Sequence, residues 1–323
     1  MTEVSNTALA RSALTLLGAT KLSSAVARTI LPAIRDNVRD FDDFVAVVRT
    51  QLPNFPVPTR ADWSRATSQL QKHVDEHISV IPFGDARYPP YLATLADAPT
   101  LLFAKGDVSC LSRLPGVAIV GTREASEAGI KIAERIAERL SSRGWSVVSG
   151  LALGIDAAAH RGALVGGAPT IAVLAHGLEK ANPPRNAELG QRILDAGGLW
   201  VSEHPLGRHP KPQYFVDRNR IQIGLSAGSI IVEGQERSGT ITQAQFCVRE
   251  GRPLFAVIPQ TPDNRLGLID AGPTMLVRKF GAVPVRSAAD YVKVEEILAL
   301  SRSKLQGHTS SNIAHTMPLA NKV

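Results

Sequence analysis

The chain has 323 residues, with 36 Lys+Arg against 29 Asp+Glu for a formal net charge of +7, and is 44% hydrophobic and 20% charged. That length predicts about two domains, and the composition excludes a disordered or fibrous chain. Cys110 and Cys247 lie far apart with no CxxC pattern, which excludes a disulfide scaffold or a zinc ribbon and fits a reducing compartment.

The charge is unevenly placed. Residues 1–115 hold 12 basic and 11 acidic residues and residues 287–323 hold 4 and 3, whereas residues 116–286 hold 20 and 15. A basic surplus on the middle segment points to a polyanionic ligand. No apolar run approaches the roughly 20 residues of a membrane span, and the N-terminus lacks the pattern of a signal peptide. A cytoplasmic protein with no membrane partner is expected.

In chain order, residues 7–50 predict helices, because Leu9, Ala13, Leu14, Leu17 and then Val26, Ile30, Ile34 recur at three- and four-residue spacing. Gly18 breaks the first helix, Ser23 or Ser24 caps the second, and Pro32 bends or ends it. A further helix is predicted around residues 41–51, a connector at Pro53–Pro58 and a polar helix over 60–77. Residues 80–114, punctuated by prolines, are expected to be irregular. From Val117 onward, short β-rich runs alternate with helical stretches at 117–120, 146–149, 170–174, 199–202, 229–233, 254–258 and 282–285. That rhythm predicts βαβ units in a doubly wound, mainly parallel Rossmann-like sheet, preceded by a small all-helical domain. The expected division is 1–78 helical, 79–286 Rossmann-like with its irregular lead-in, and 287–323 a helix over 288–303 followed by a disordered polar tail from 304.

Ligands of open α/β sheets bind beyond the carboxyl ends of the strands, so the segments after the strands carry the candidates. Gly121-Thr122-Arg123 follows the first parallel strand, where backbone N–H groups, a helix N-terminus and a guanidinium can hold a phosphate. Ser149-Gly150 and Gly154 after the second make a phosphate-sized turn, with Asp156 a candidate N-cap and His160 a candidate core histidine. Phe215 with Arg218, Asn219 and Arg220 combines a stacking ring with cations, as single-strand binding requires. Ser238-Gly239-Thr240 opens another helix able to receive an anion. Asp156, Glu203 and Glu233 all follow strands and could converge, with Glu233 the carboxylate of most interest. No G-x-S-x-G elbow, P-loop or H-E-x-x-H occurs, no histidine stands at metal-ligand spacing, and the G-x-G-x-x-G dinucleotide fingerprint is missing. No catalytic group, metal or cofactor is therefore expected.

These runs together, in order from about residue 83 to 286 and with Tyr88-Pro89 and Leu102-Phe103-Ala104-Lys105-Gly106 ahead of them, resemble the DprA/Smf family (DNA-processing protein A). The resemblance implies a non-enzymatic, single-stranded DNA-binding homodimer that protects incoming strands and loads the recombinase RecA during natural transformation. It places Arg123, Ser149, Gly150, Arg218 and Arg220 along the DNA groove, with Arg185 in the run after the third strand. Three departures stand out. The run Asn182-Pro183-Pro184-Arg185-Asn186 lacks the family's aromatic residue, Val216 replaces a proline, and 37 residues after Arg286 are short for the winged-helix domain of some members. The alternative class is a nucleotide-binding relative of the same fold, a phosphoribohydrolase or sensor module, with Glu233 or Arg123 acting on a mononucleotide's sugar. The binding reading predicts strong salt dependence and little base preference.

Overall fold

The computed structural model describes residues 2–19 and 22–316. Four helices open the chain: α1 (Thr2–Ala19), α2 (Ser24–Asn37), α3 (Phe41–Gln51) and α4 (Arg60–Asp75). Their starts follow from short polar side chains that satisfy orphan backbone N–H groups. Ser23 accepts from the Val26 amide, Asp40 from those of Asp42 and Asp43, and Thr59 forms a capping box with Asp62. Pro32 lies inside α2, which continues to Asn37 with Ala27, Ile30, Leu31 and Ile34 buried. The expected bend or stop at Pro32 is thus not a stop.

The segment read as irregular contains two strands, β1 (Ile78–Pro82) and β2 (Leu101–Gly106), with the short helix α5 (Pro90–Ala93) between them. They pair antiparallel with one another, and β2 pairs antiparallel with β6 (Leu199–Ser202). Dense prolines hid them, because Pro82 closes one strand and Pro99 precedes the other, where no ladder donor is lost.

The remaining elements alternate as predicted. They are β3 (Gly116–Val120), α6 (Glu127–Ser142), β4 (Val147–Ser149), α7 (Ile155–Gly166), β5 (Thr170–Val173), α8 (Ala187–Asp195), β6, α9 (Pro212–Gly224), β7 (Ser226–Ile231), α10 (Gly239–Arg249), β8 (Leu254–Val257), α11 (Ala271–Phe280), β9 (Val283–Val285) and α12 (Tyr291–Thr316). The last helix runs past the expected end at 303 and takes in the first part of the segment read as disordered. Residues 317–323 lie outside the described residues.

The nine strands form one sheet in the order β1-β2-β6-β5-β4-β3-β7-β8-β9, parallel from β6 to β9. Burial on both faces explains why β3 and β7 are almost wholly apolar or small. On one face α6, α7 and α12 pack through Ala133, Ala158 and Leu298, and on the other α10 and α11 pack through Ala244 and Leu276. The N-terminal helices share a core with the β1-β2-β6 end of the sheet, where Phe44, Leu31 and Trp63 join the same cluster as Phe103 and Trp200. Strand order runs outward in both directions from β3 and β7, so a crevice opens beyond their carboxyl ends. No described helix is long and apolar enough to cross a membrane.

Candidate nucleic-acid interface

Three strand-end loops are laced together at that crevice. The Thr122 amide donates to the Glu233 carbonyl at 2.9 Å, and the Ile155 amide donates to the Thr122 carbonyl at 3.2 Å. Gly154 has φ +73°, and a Cβ there would overlap the Thr122 carbonyl oxygen, so glycine is required for loop contact rather than for a ligand. A cleft of about 750 Å³ opens above the laced loops.

Nine of the fourteen sequence candidates line this cleft. Gly121, Thr122 and Arg123 come from the loop after β3, and Phe215, Arg218 and Asn219 from α9. Ser238, Gly239 and Thr240 come from the start of α10. Arg123 is exposed, with its guanidinium carbon 5.1 Å from the centroid of the Phe215 ring. The pair forms a cationic, flat-faced lip. The α10 N-terminus has no side-chain cap, since Ser238 Oγ donates to the Gln235 carbonyl and lies 2.6 Å from Thr240 Oγ1. The positive end of the helix lies at the cleft, which Ser238, Gly239 and Thr240 line.

Arg218 is the floor. It is 7% exposed, its Nη1 donates to the Val173 carbonyl at 2.5 Å, and its Nε is buried with no hydrogen-bond partner. Leaving such a donor unmade costs about 1–3 kcal/mol. Burial pushes the Arg218 guanidinium below its usual range, opposed by the nearby Asp156 carboxylate. Asp156 is not the N-cap of α7; Gly154 holds that place, and Asp156 sits in the first turn, buried, with Oδ2 accepting from the Gly150 amide at 3.1 Å. Burial pushes its carboxyl up, while Arg218 and the backbone amides pull it back. His160, one turn on, is a core residue: Nδ1 lies 2.8 Å from Thr170 Oγ1, and burial holds the ring down to about 3.

Five candidates do not line the cleft. Ser149 is fully buried and donates to the Ile119 carbonyl at 2.7 Å, tying β4 to β3. Gly150 acts indirectly, because a Cβ there would overlap the Arg218 guanidinium. Gly154 serves the loop contact described above. Arg185 is exposed away from the cleft lining, and the neighbouring Asn186 side chain holds the carbonyls of Leu151 and Ala152. Arg220 is committed elsewhere: its Nη1 and Nη2 hold the two carboxylate oxygens of Glu203 at 2.7 and 2.6 Å, and its Nε donates to the Asp97 carbonyl.

The three strand-end carboxylates do not converge. Glu203 is taken by Arg220 and Asp156 faces Arg218. Glu233, fully buried, accepts from the Ser126 amide and hydroxyl at 2.9 and 2.7 Å and from the Ile269 amide at 2.9 Å. It staples β7 to the start of α6 and leaves no oxygen for chemistry. The cleft also takes residues that spacing alone did not single out: Lys211 at its rim, and Gln222 and Gln243 at its floor. Gln222 follows Arg218 by four residues, so the helix period could have placed it on the same face.

Residues 79–295 match the family model described as DNA recombination-mediator protein A. The DNA processing protein DprA of Bacillus subtilis is 35% identical over 221 residues, covering 68% of this chain and 72% of that protein. Protein Smf of Escherichia coli is 40% identical over 178 residues, 55% of this chain and 47% of that protein. The X-ray structure of DprA from Streptococcus pneumoniae is similar over 89% of this chain and 97% of that one, at TM-score 0.68 and 29% identity. A structure of DprA from Helicobacter pylori, described for its single-stranded DNA binding mode, is similar over 67% and 94% at TM-score 0.57 and 29% identity. With two thirds of its length matched by the family model and the same fold in both solved relatives, the chain belongs to the DNA recombination-mediator protein A family.

Proposed function

We propose that the cleft beyond β3 and β7 binds the sugar-phosphate backbone of single-stranded DNA. The observation that carries this is Arg218, a buried cation with an unpartnered Nε at the floor of an open cleft. A buried guanidinium of that kind is stabilised by an incoming phosphate oxygen. Around it stand the uncapped start of α10, the Arg123–Phe215 lip and Lys211 at the rim. Cations for phosphates beside an aromatic face for bases are the working parts of single-strand recognition. The Helicobacter relative, whose structure is described for its single-stranded DNA binding mode, supports a single strand as the ligand.

On this reading the protein is a recombination mediator and not an enzyme. A RecA-type recombinase and a second copy of the chain are its partners, in the cytoplasm, as family membership implies. The competing reading, cleavage of a nucleotide's glycosidic bond, loses the carboxylate put forward for it because Glu233 is fully engaged outside the cleft, while Asp156, which lines the cleft, faces Arg218.

Titration of a labelled single strand at two salt concentrations tests the proposal. Log affinity should fall by about 0.7 per log unit of salt for each phosphate neutralised, and duplex should compete poorly. Arg123→Ala should weaken binding by about 1–2 kcal/mol with the melting temperature unchanged. Salt-independent binding, or preference for duplex, would sink it.

A further inference from the structure

Outside the cleft, the outward face of α4 carries a second cationic depression. It holds about 530 Å³ and is lined by Ser64, Arg65, Ser68, Gln69 and Lys72 along the helix, with Leu206 closing it from the loop after β6. No carboxylate is among the residues that line it. Ser64, Ser68 and Lys72 are exposed, and among the described residues their hydroxyls and ammonium group have no hydrogen-bond or ion-pair partner. A hydroxyl inside a helix commonly bonds back to the preceding turn, as Thr67 does to the Trp63 carbonyl at 2.9 Å on the same helix. Arg65 contacts Asp62, whose carboxylate also serves the α4 cap, so Lys72 is the freer of the two cations.

The loop after β6 joins this depression to the cleft. Leu206 lines the α4 depression, and Pro210 and Lys211 line the cleft. Between them Pro205 and Arg208 line a third depression of about 300 Å³, to which Gln69 of α4 also contributes. Four residues span at most about 14 Å, so Leu206 and Pro210 lie no further apart than that. The loop is fastened to α4, because the Leu206 amide donates to His73 Nε2 at 3.1 Å. Its Arg208, His209 and Lys211 are all exposed. The carboxylates along the way are engaged: Arg220 holds Glu203, and Glu179 accepts from the Gly207 amide at 3.2 Å.

Cations spaced along one route, with hydroxyl and amide donors beside them, suit the repeating phosphates of a chain. The α4 depression has no Phe, Tyr or Trp for a base to stack on, so it fits backbone and not bases. We infer that a single strand seated in the cleft leaves along the loop after β6 and lays its next phosphates on Lys72 and Arg65 of α4. The N-terminal helices are then a second part of the DNA interface. This rests on the single-stranded DNA reading of the cleft and extends it.

The test follows labelled single strands of about 5 and about 15 nucleotides binding to the full chain by fluorescence anisotropy, at two salt concentrations. In the wild type the long strand should bind more than about tenfold tighter and show the steeper salt slope. Arg65→Gln combined with Lys72→Gln should weaken the long strand about fivefold or more and make its log–log slope shallower by about 1.4, for two lost phosphate contacts. The short strand should bind the double variant as it binds the wild type. Lys72→Arg, which keeps the charge, should keep the wild-type slope. Melting temperatures check each variant; should the double variant melt early, Lys72→Gln alone should still take about 0.7 off the long-strand slope. Unchanged long-strand affinity and slope in the glutamine variants overturns the inference and leaves the DNA reading intact. Equal weakening of both strands also overturns it, because the two cations would then act at the cleft. No binding of either strand by the wild type overturns the DNA reading itself.

Discussion

Arg218 and Arg220 stand two residues apart in α9 and end in opposite situations. Two residues turn a helix by about 200°, so one guanidinium enters the cleft beside Gly150 and the Val173 carbonyl, past the carboxyl ends of β4 and β5, and the other reaches Glu203, just past β6. Past β6 the charge is closed off: Glu203 takes it bidentately and the Asp97 carbonyl takes the Nε. At the cleft the Asp156 carboxylate faces the charge without a hydrogen bond to it, one nitrogen donates to the Val173 carbonyl, and Nε has no partner. A satisfied buried cation stabilises a fold, and an unsatisfied one at the foot of a cleft is held ready for a ligand. The difference teaches that the arginine count of a motif says little until each guanidinium's partners are known.

The largest effect should come from breaking the closed pair. Arg220→Ala leaves Glu203 largely buried without its cation and should destabilise the protein by about 3 kcal/mol, read from urea unfolding, while the folded fraction still binds DNA. A small stability loss with a large binding loss would reverse the roles assigned to the two arginines.

A smaller effect tests whether the open site depends on how Arg218 is seated. Gly150→Ala puts a methyl group where the guanidinium lies. Overpacking of this kind should cost about 1–3 kcal/mol of stability and weaken single-strand binding about tenfold by moving Arg218. Unchanged binding would mean that the floor tolerates a displaced cation.

The last effect concerns how dry the region below the cleft is. His160 is held down to about 3, first by burial and then by the Arg218 charge, against an ordinary value near 6.5. Its folded state therefore resists protonation, and the stability present above about pH 6.5 is lost as pH falls through that value toward 3. The loss approaches about 1.4 kcal/mol per pH unit for one proton. His73, His176 and His204 are displaced the same way by burial. Urea midpoints at pH 7 and 5 should show His160→Gln losing less on acidification than the wild type. Equal losses would place the proton uptake on the other three.

The sequence made the α/β rhythm plain because strands buried on both faces are continuous apolar runs, as in Val117–Val120. It did not make β1 and β2 plain, since prolines at their margins read as loop while pairing with β6 is long-range. For the site, the glycine and arginine positions marked the right loops, yet Arg218 and Arg220 looked equivalent because Glu203 comes from another strand end. Glu233 stood in a position fit for chemistry, but its three donors come from residues 126 and 269, which no local pattern reveals. Gln222 and Gln243 went unmarked because α9 and α10 carry other polar residues, among them Gln213 and Gln245, and only the packing decides which of them line the cleft.

The most direct test of the central claim is the salt dependence of single-strand binding for the wild type, Arg218→Met and Arg220→Met, each with its melting temperature. Arg218→Met should bind more weakly, with a log–log salt slope shallower by about 0.7, and should also melt lower because the buried Asp156 carboxylate loses the cation that faces it, so the slope is the discriminating reading. Arg220→Met should melt lower and keep the wild-type slope. An Arg218→Met protein that binds with undiminished affinity and slope would contradict it.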